Sequence, residues 1–365
     1  MASRNRVIYQ SEGLFVRSGA TAMVATAHSQ LNRVQSANYS YTINRQDVNQ
    51  FGELARIDSM VLEPPTVAVD FSYYLTDGYN ERMLDFYVKT GTISSGNFAS
   101  GHLTSTSGLN VFVVTSPEAE DFNAGDAFES SDKVIGIGNC YVSDYSVDLS
   151  VGALPTASVS MEGSNVRSSV GGAIKNPAVN QADGTDWSDG NLQLPAGQSS
   201  GTMQSIAALR PGDIVMSLAD FEGDTDSDLT AAEGIHIQSA TISIPLSRTP
   251  LDRLGSKFAF ARTVDFPVVS TLSVSAIMNE QEAVSLADIL DQPTQGVTIL
   301  MKTVEGGTGL RWDFKGALVE SESWSSSIGS NKSVDITFTT QIGGPEDIDD
   351  GVFLSGVNTG IRMGR

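Results

Sequence analysis

Basic residues are scarce in this sequence. Its 365 residues include 22 Lys and Arg against 43 Asp and Glu, a formal net charge of −21. No dense basic run occurs, and without Lys/Arg clusters a surface does not hold nucleic-acid phosphates. Attachment to DNA is therefore disfavoured, whereas lining a path along which DNA slides without sticking is compatible with the charge. Solubility, or adaptation to a salty habitat, is the plainer reading of the acid excess. Cysteine is nearly absent too. Cys140 stands alone, which excludes an internal disulfide and fits folding in a reducing cytoplasm. Within "GNCYVSDYSV" it reads as a small core residue.

Long apolar runs are missing as well. None approaches the roughly 20 residues that cross a bilayer as a helix, and "MASRNRVIYQSEGLFV" has early arginines but no apolar h-region, so it reads as no secretory signal. Histidine is rare, and His28, His102 and His236 have no ligand spacing. Aromatics make up 7% and fall mostly in strand patterns. Trp187, Trp312 and Trp324 read as core or interface residues.

Glycine, serine, threonine and valine are abundant, and long helical patterns are few, so the expected class is mainly β. Hydrophobic content of 40% and charged content of 18% suit a soluble globular chain long enough for two cores.

The chain also resembles itself. "QSANYSYTINR" from Gln35 returns as "QSATISIPLSR" from Gln238, and the offset of 203 holds without a gap from 35 to 87. It pairs Arg45 with Arg248, Gly52 with Gly255, Val61 with Val264, Pro64 with Pro267 and Asp85 with Asp288. Val67, Val69, Phe71 and Tyr73 alternate as one face of a strand, and Ser270, Leu272, Val274 and Ala276 match them. Met83, Phe86 and Tyr87 then match Leu286, Ile289 and Leu290 with helical spacing. At an offset of 177, Val142, Ser146, Ser150 and Gly152 pair with Val319, Ser323, Ser327 and Gly329, and Val159 and Met161 with Ile336 and Phe338. The first copy holds 26 more residues between the two windows. Two ordered windows imply a tandem duplication of one domain.

The expected organisation follows. An N-terminal arm covers 1–34, a first β domain 35–165, and a Gly/Ser-rich linker with an acidic loop 166–235. A second β domain covers 236–342 and a C-terminal arm 343–365. Inside the first domain, "NVFVVTSPEAEDFNAGDAFESSDKVIGIG" reads as strand, acidic loop, strand, and "LRPGDIVMSL" in the linker reads as a turn and a strand.

Motifs with chemistry are weak. Gly197–Gly201 fits G-x-S-x-G, but Ser199 lacks the clean strand–helix context of a nucleophile elbow and would have to recruit His236. "EGDTDSDLTAAE" places Glu222, Asp224, Asp226, Asp228 and Glu233 at calcium-loop positions 1, 3, 5, 7 and 12. Ser227 stands where the turn glycine belongs, so a solvated acidic loop is the simpler reading and Ca2+ the alternative. Gly136-Ile137-Gly138 reads as a strand-edge turn. No catalytic residues and no other cofactor are expected.

The run "INRQDVNQFGELARIDSMVLEPPTVAVDFSYYL" followed by "GNCYVSDYSVDLSVGALPTASVSMEGSN" resembles the tail tube (major tail) proteins of tailed bacteriophages. The Pro64-Pro65 entry to a central strand and the Gly152–Pro155 hairpin carry the likeness, and "IPLSRTPLDRLGSKFAFARTVDFPVVSTLSVSA" extends it to the second copy. The resemblance implies tandem β-sandwich or barrel domains, each with a short flanking helix. It implies a virion structural protein, assembled in the host cytoplasm, whose six-fold rings stack into a conduit for DNA ejection. A duplicated chain would close such a ring as a trimer. Implied partners are further copies, the terminator, tape-measure and tail-tip proteins, and duplex DNA passing without tight binding; no membrane is implied. The competing readings are a tandem β-sandwich module of a tail tip or surface protein that recognises a receptor or carbohydrate, and an enzyme.

Two sets of residues are then expected at surfaces. The segments 45–63 and 248–266 should project and contact the next ring through Arg45, Val48, Phe51, Leu54 and Ile57, and through Arg248, Leu251, Leu254, Phe258 and Phe260. Candidates for an acidic lumen wall are Asp70, Asp144, Asp148 and Glu162, although alternation alone gives two faces and not which is inside.

Overall fold

The computed structural model describes residues 12–18, 29–89, 96–105, 108–116, 122, 132–170, 174–180, 194, 209, 214–219, 227–228, 235–278, 295–302, 308–326, 331 and 333–356. The protein is mainly β. Its first half contains β1 (Glu12–Ser18), β2 (Ser29–Gln30), β3 (Val34–Thr42), β4 (Arg45–Val48), β5 (Asp58–Val61), β6 (Thr66–Tyr74), α1 (Tyr79–Met83) and β7 (Val88–Lys89). It continues with α2 (Ser100–Thr104), β8 (Leu109–Thr115), β9 (Lys133–Ser150), β10 (Thr156–Gly163) and β11 (Asn165–Val170). The second half contains β12 (Ile214–Ala219), β13 (Ser227–Asp228), β14 (Ile235–Pro245), β15 (Arg248–Leu251) and β16 (Ala261–Val264). It ends with β17 (Val268–Met278), β18 (Gln295–Lys302), β19 (Thr308–Ser325), β20 (Ser333–Ile342) and β21 (Gly351–Gly356).

Alternation sets the burial. Val67, Val69, Phe71 and Tyr73 of β6 are all buried, as are Ser270, Leu272, Val274 and Ala276 of β17. The intervening residues face outward, which is the period-two consequence of the pleat. The long strands β9 and β19 each serve two layers. The first part of β9 pairs with β8 and β11, and its last part with β10. Likewise β19 pairs first with β18 and β21, then with β20. Each half is thus two sheets sharing one bent strand, with the apolar core between them.

The two halves repeat each other's ladders. In β3–β6, Ala37 faces Phe71 and a bulge falls between Val34 and Ser36; in β14–β17, Ala240 faces Val274 and the bulge falls between Ile237 and Ser239. Every one of these positions is displaced by 203. In β9–β10, Ser160 faces Asp144 and the ladder slips before Met161; in β19–β20, Thr337 faces Ser321 and the ladder slips before Phe338. Those positions are displaced by 177. Arg45 faces Val61 in the ribbon β4–β5, and Arg248 faces Val264 in β15–β16. Gly52 and Gly255 share a positive φ, 92° and 86°, at the tips of these ribbons, where glycine tolerates the left-handed region without strain.

Strands lie in segments read as arms or linker. Glu12–Ser18, assigned to an N-terminal arm, is a strand of the first half bonded along its length to β8. Ile214–Ala219, assigned to the linker, is bonded to β18 in the same way, and Gly351–Gly356, assigned to a C-terminal arm, is bonded to β19. These strands escaped the self-comparison because "EGLFVR" and "IVMSLA" share apolar character and no identities. The helix is also shorter than its spacing suggested: α1 ends at Met83, and Asp85 at φ 70° turns the chain before Phe86 and Tyr87. Leu286, Ile289 and Leu290 lie outside the described residues.

Candidate assembly surfaces

The halves join through strands rather than through a loose domain contact. β9 pairs with β14 from Ser150–Ser239 to Asp144–Pro245. This seam makes one continuous antiparallel sheet in the order β3-β6-β10-β9-β14-β17-β20-β19. Leu246 N–H donates to Ser143 O at 2.9 Å and Val151 N–H to Gln238 O at 3.0 Å, closing the seam at both ends. An aromatic cluster lies behind it. Phe86 stacks on Phe98 at 4.2 Å between centroids, and Phe98 meets Trp312 of the second half edge-on at 4.9 Å.

One face of this sheet packs on the core and the other is polar. Asp70, Asp144, Asp148 and Glu162 all stand on the polar face. Asp70 opposes Ser160, Asp144 also opposes Ser160, and Asp148 and Glu162 share that side of β9 and β10. Asp335 of β20 joins them opposite Ser275. Most remaining outward positions are serine or threonine, and among the described residues no Lys or Arg occupies an outward ladder position. Ser160 Oγ donates to Asp70 Oδ1 at 2.7 Å, and Thr241 Oγ1 to Asp148 Oδ1 at 3.1 Å across the seam. Partial burial pushes the Asp144 carboxyl above its ordinary value. Glu162 stands apart at the rim: its carboxylate is held by Arg262 Nη1 at 2.5 Å, so its charge is compensated.

The two ribbons behave differently. β4–β5 is exposed except at Ser59, which is half-buried, and Phe51 and Leu54 at its tip are 105% and 109% exposed. Val48 and Ile57 are exposed beside them. Leu254, at the tip of β15–β16, is 104% exposed, with Leu251 and Phe260 less so and Phe258 half-buried. The base of this second ribbon docks on the first half. Arg248 Nη2 donates to His102 O at 2.9 Å, and its guanidinium lies 4.8 Å from the Tyr141 ring centroid. Arg45 is exposed, whereas Arg248 is half-buried at this contact. Burial lowers the Arg248 guanidinium to about 10. Its alternating strand position gave no sign of this, because the covering surface belongs to the other half.

Inside the first half, buried polar groups lock the elements. Glu81 of α1 accepts hydrogen bonds from Tyr73 Oη at 2.9 Å and Tyr145 Oη at 3.0 Å, tying α1 to β6 and β9. Burial raises the Glu81 carboxyl, with the two phenol bonds opposing. Burial and the nearby Arg248 charge lower His102 to about 3. Cys140 is buried, its thiol pushed up to about 12, as a core residue should be.

Of the calcium-loop residues only Asp228 is described, in β13, where it pairs with Ser217. Glu222, Asp224, Asp226 and Glu233, like Ser199, lie outside the described residues, and the side chain of His236 is not described. Among the described residues no cluster of three or more metal-binding side chains occurs.

Sequence reasoning missed the sheet edges. Tyr39, Tyr41 and Ile43 on or beside β3 are 41%, 59% and 39% exposed, and Leu318 and Trp324 of β19 are 54% and 39% exposed. Their counterparts in the other half are buried: Ile242, Ile244 and Leu246 at 0%, Tyr141 at 3% and Val147 at 0%. The alternation was legible, but which strands remain unpaired was not.

No protein-family model matches the sequence, and no curated protein matches it. Two solved structures resemble part of the fold. The tube-terminating cap of the anti-feeding prophage aligns over 41% of this chain and 92% of its own, at 10% identity and a TM-score of 0.28. The six-fold symmetrised baseplate of the same prophage aligns over 40% and 93%, at 11% identity and a TM-score of 0.27.

Proposed function

We propose that the protein is a structural component of a phage tail, a tail tube subunit whose rings stack into a conduit for DNA. The carrying observation is the continuous sheet with a polar face that holds acids and, among the described residues, no Lys or Arg at an outward ladder position. Duplex DNA moving past such a wall finds no Lys or Arg with which to pair phosphates and release counterions, so it is not held.

The matched ladders support a tandem duplication, in which each chain supplies two ring positions. A heterologous contact repeated at a fixed rotation closes a ring. Three chains then give six quasi-equivalent domains, with the polar face turned to the lumen. The exposed ribbon tips, apolar and glycine-turned, suit contact with the next ring.

Negative-stain electron microscopy of the purified protein tests this reading. Long tubes or stacked annuli are the expected result. Isolated particles at all concentrations would overturn it and favour the tail-tip recognition module.

A further inference from the structure

Among the described residues the continuous sheet ends in two edges that each pair on one side only, β3 and the last part of β19. A long unpaired edge is a template for another strand. At the seam between the halves, β14 and β9 occupy the same repeat positions as these edges and are paired to each other. The chain therefore contains a worked copy of the joint that its own edges lack.

We propose that β19 of one molecule pairs antiparallel with β3 of a second copy in the register of the internal β9–β14 seam. In that register Ile242 faces Val147, Ser243 faces Ser146 and Ile244 faces Tyr145. Displacing the first residue of each pair by 203 and the second by 177 sets Tyr39 opposite Trp324, Ser40 opposite Ser323 and Tyr41 opposite Glu322. The flanking bond from Leu246 N–H to Ser143 O becomes one from Ile43 N–H to Glu320 O.

The exposure pattern commits this surface to a second copy rather than to another protein. Tyr39 and Tyr41 stand opposite Val69 and Val67 on the core-facing side of an edge, Ile43 follows them, and all three are exposed apolar-bodied side chains. Each is the counterpart of a residue fully buried at the seam. Trp324 is 39% exposed, and in the proposed register Tyr41 meets the Glu322 carboxylate, to which its phenol can donate. Leu318 matches Tyr141, which Arg248 covers; the stem of Arg45 from the neighbouring ribbon would cover Leu318 likewise. The contact uses different patches on the two molecules, so it propagates head to tail. It rests on the reading of the chain as a ring subunit and adds which residues join one subunit to the next.

Cysteine cross-linking tests the register. Directly opposed residues have Cα atoms about 4.5–5.5 Å apart, within disulfide reach, whereas a two-residue offset exceeds it. Cys140 is buried and stays silent. The variant S40C/S323C, oxidised after assembly, should give covalent dimers and trimers at least tenfold faster than S40C/S321C. Both changes sit on the polar face and spare the core. In unmodified protein, amide hydrogen exchange over 38–43 should slow at least tenfold on assembly. Multimers that cross-link equally in both variants, or that leave exchange at 38–43 unchanged, overturn the register while leaving the ring reading intact. Protein that forms no multimers at all overturns both.

Discussion

Tyr39 and Ile242 hold the same place in the repeated ladder, yet Tyr39 is 41% exposed and Ile242 is fully buried. The difference is whether a second strand lies alongside: β14 pairs with both β17 and β9, whereas among the described residues β3 pairs with β6 alone. Pairs of this kind separate what the fold needs from what an assembly needs.

Tyr41 and Ile244 give the sharpest contrast. Tyr41→Glu should change unfolding free energy by about 0.5 kcal/mol or less, as surface changes do, and should abolish multimers by placing a second carboxylate against Glu322. Ile244→Glu should cost about 3–5 kcal/mol, because it buries a charge without a partner. Chemical denaturation and sedimentation velocity together read both effects. Loss of stability in Tyr41→Glu matching that of Ile244→Glu would contradict the assignment.

The ribbon tip is expected to act between rings. Deleting Asn49–Ile57 removes Phe51 and Leu54, which are fully exposed, so circular dichroism and thermal unfolding should be unchanged. Micrographs should show single rings in place of tubes. Tubes of normal length from the deletion would refute a stacking role.

Charge reversal on the polar face should convert a passive wall into a binding one. Asp148→Lys with Asp335→Lys puts cations at two outward positions where the wild type carries acids. Assembled double variant should retain duplex DNA at 50 mM salt and release it steeply toward 200 mM, following a slope of about −0.9 per phosphate contact. Wild-type assemblies should retain none at either salt. Equal retention by both would show that this face does not meet DNA.

His102 predicts an acid-sensitive fold. Its value falls from 6.5 to about 3 through burial and the adjacent Arg248 charge. Below pH 6.5 the unfolded chain takes up a proton that the folded chain refuses until about pH 3. The stabilisation present above pH 6.5 is therefore lost across that window, at up to about 1.4 kcal/mol per pH unit. His102→Gln should lack this component, so its stability relative to wild type should rise as pH drops from 6.5. A parallel pH dependence in the two proteins would place the titration elsewhere.

Much of this architecture was legible because strands announce themselves locally. Val67 to Tyr73 alternate, and their matches at Ser270 to Ala276 alternate in step. Arg45 and Arg248 marked equivalent ribbons by identity alone. The strands β1 and β12 were not legible as a matched pair, since they share only apolar character. Nor could the sequence distinguish Arg45, exposed, from Arg248, packed on Tyr141, because that difference is made by a neighbour remote in the chain. The acidic residues Asp70, Asp144, Asp148 and Glu162 could be named from the sequence but not assigned to a face, and only the structure places Arg262 beside Glu162.

The central claim is that the polar face of the continuous sheet lines a closed conduit. A cryo-electron microscopy section through the assembled ring measures this directly. The account predicts an unbroken β-wall, each β19 bonded to the next molecule's β3, with Asp70, Asp144 and Asp148 turned to the pore and the pore-facing side chains summing to a negative charge. A pore lined by other elements, or one whose side chains sum to a positive charge, would contradict it.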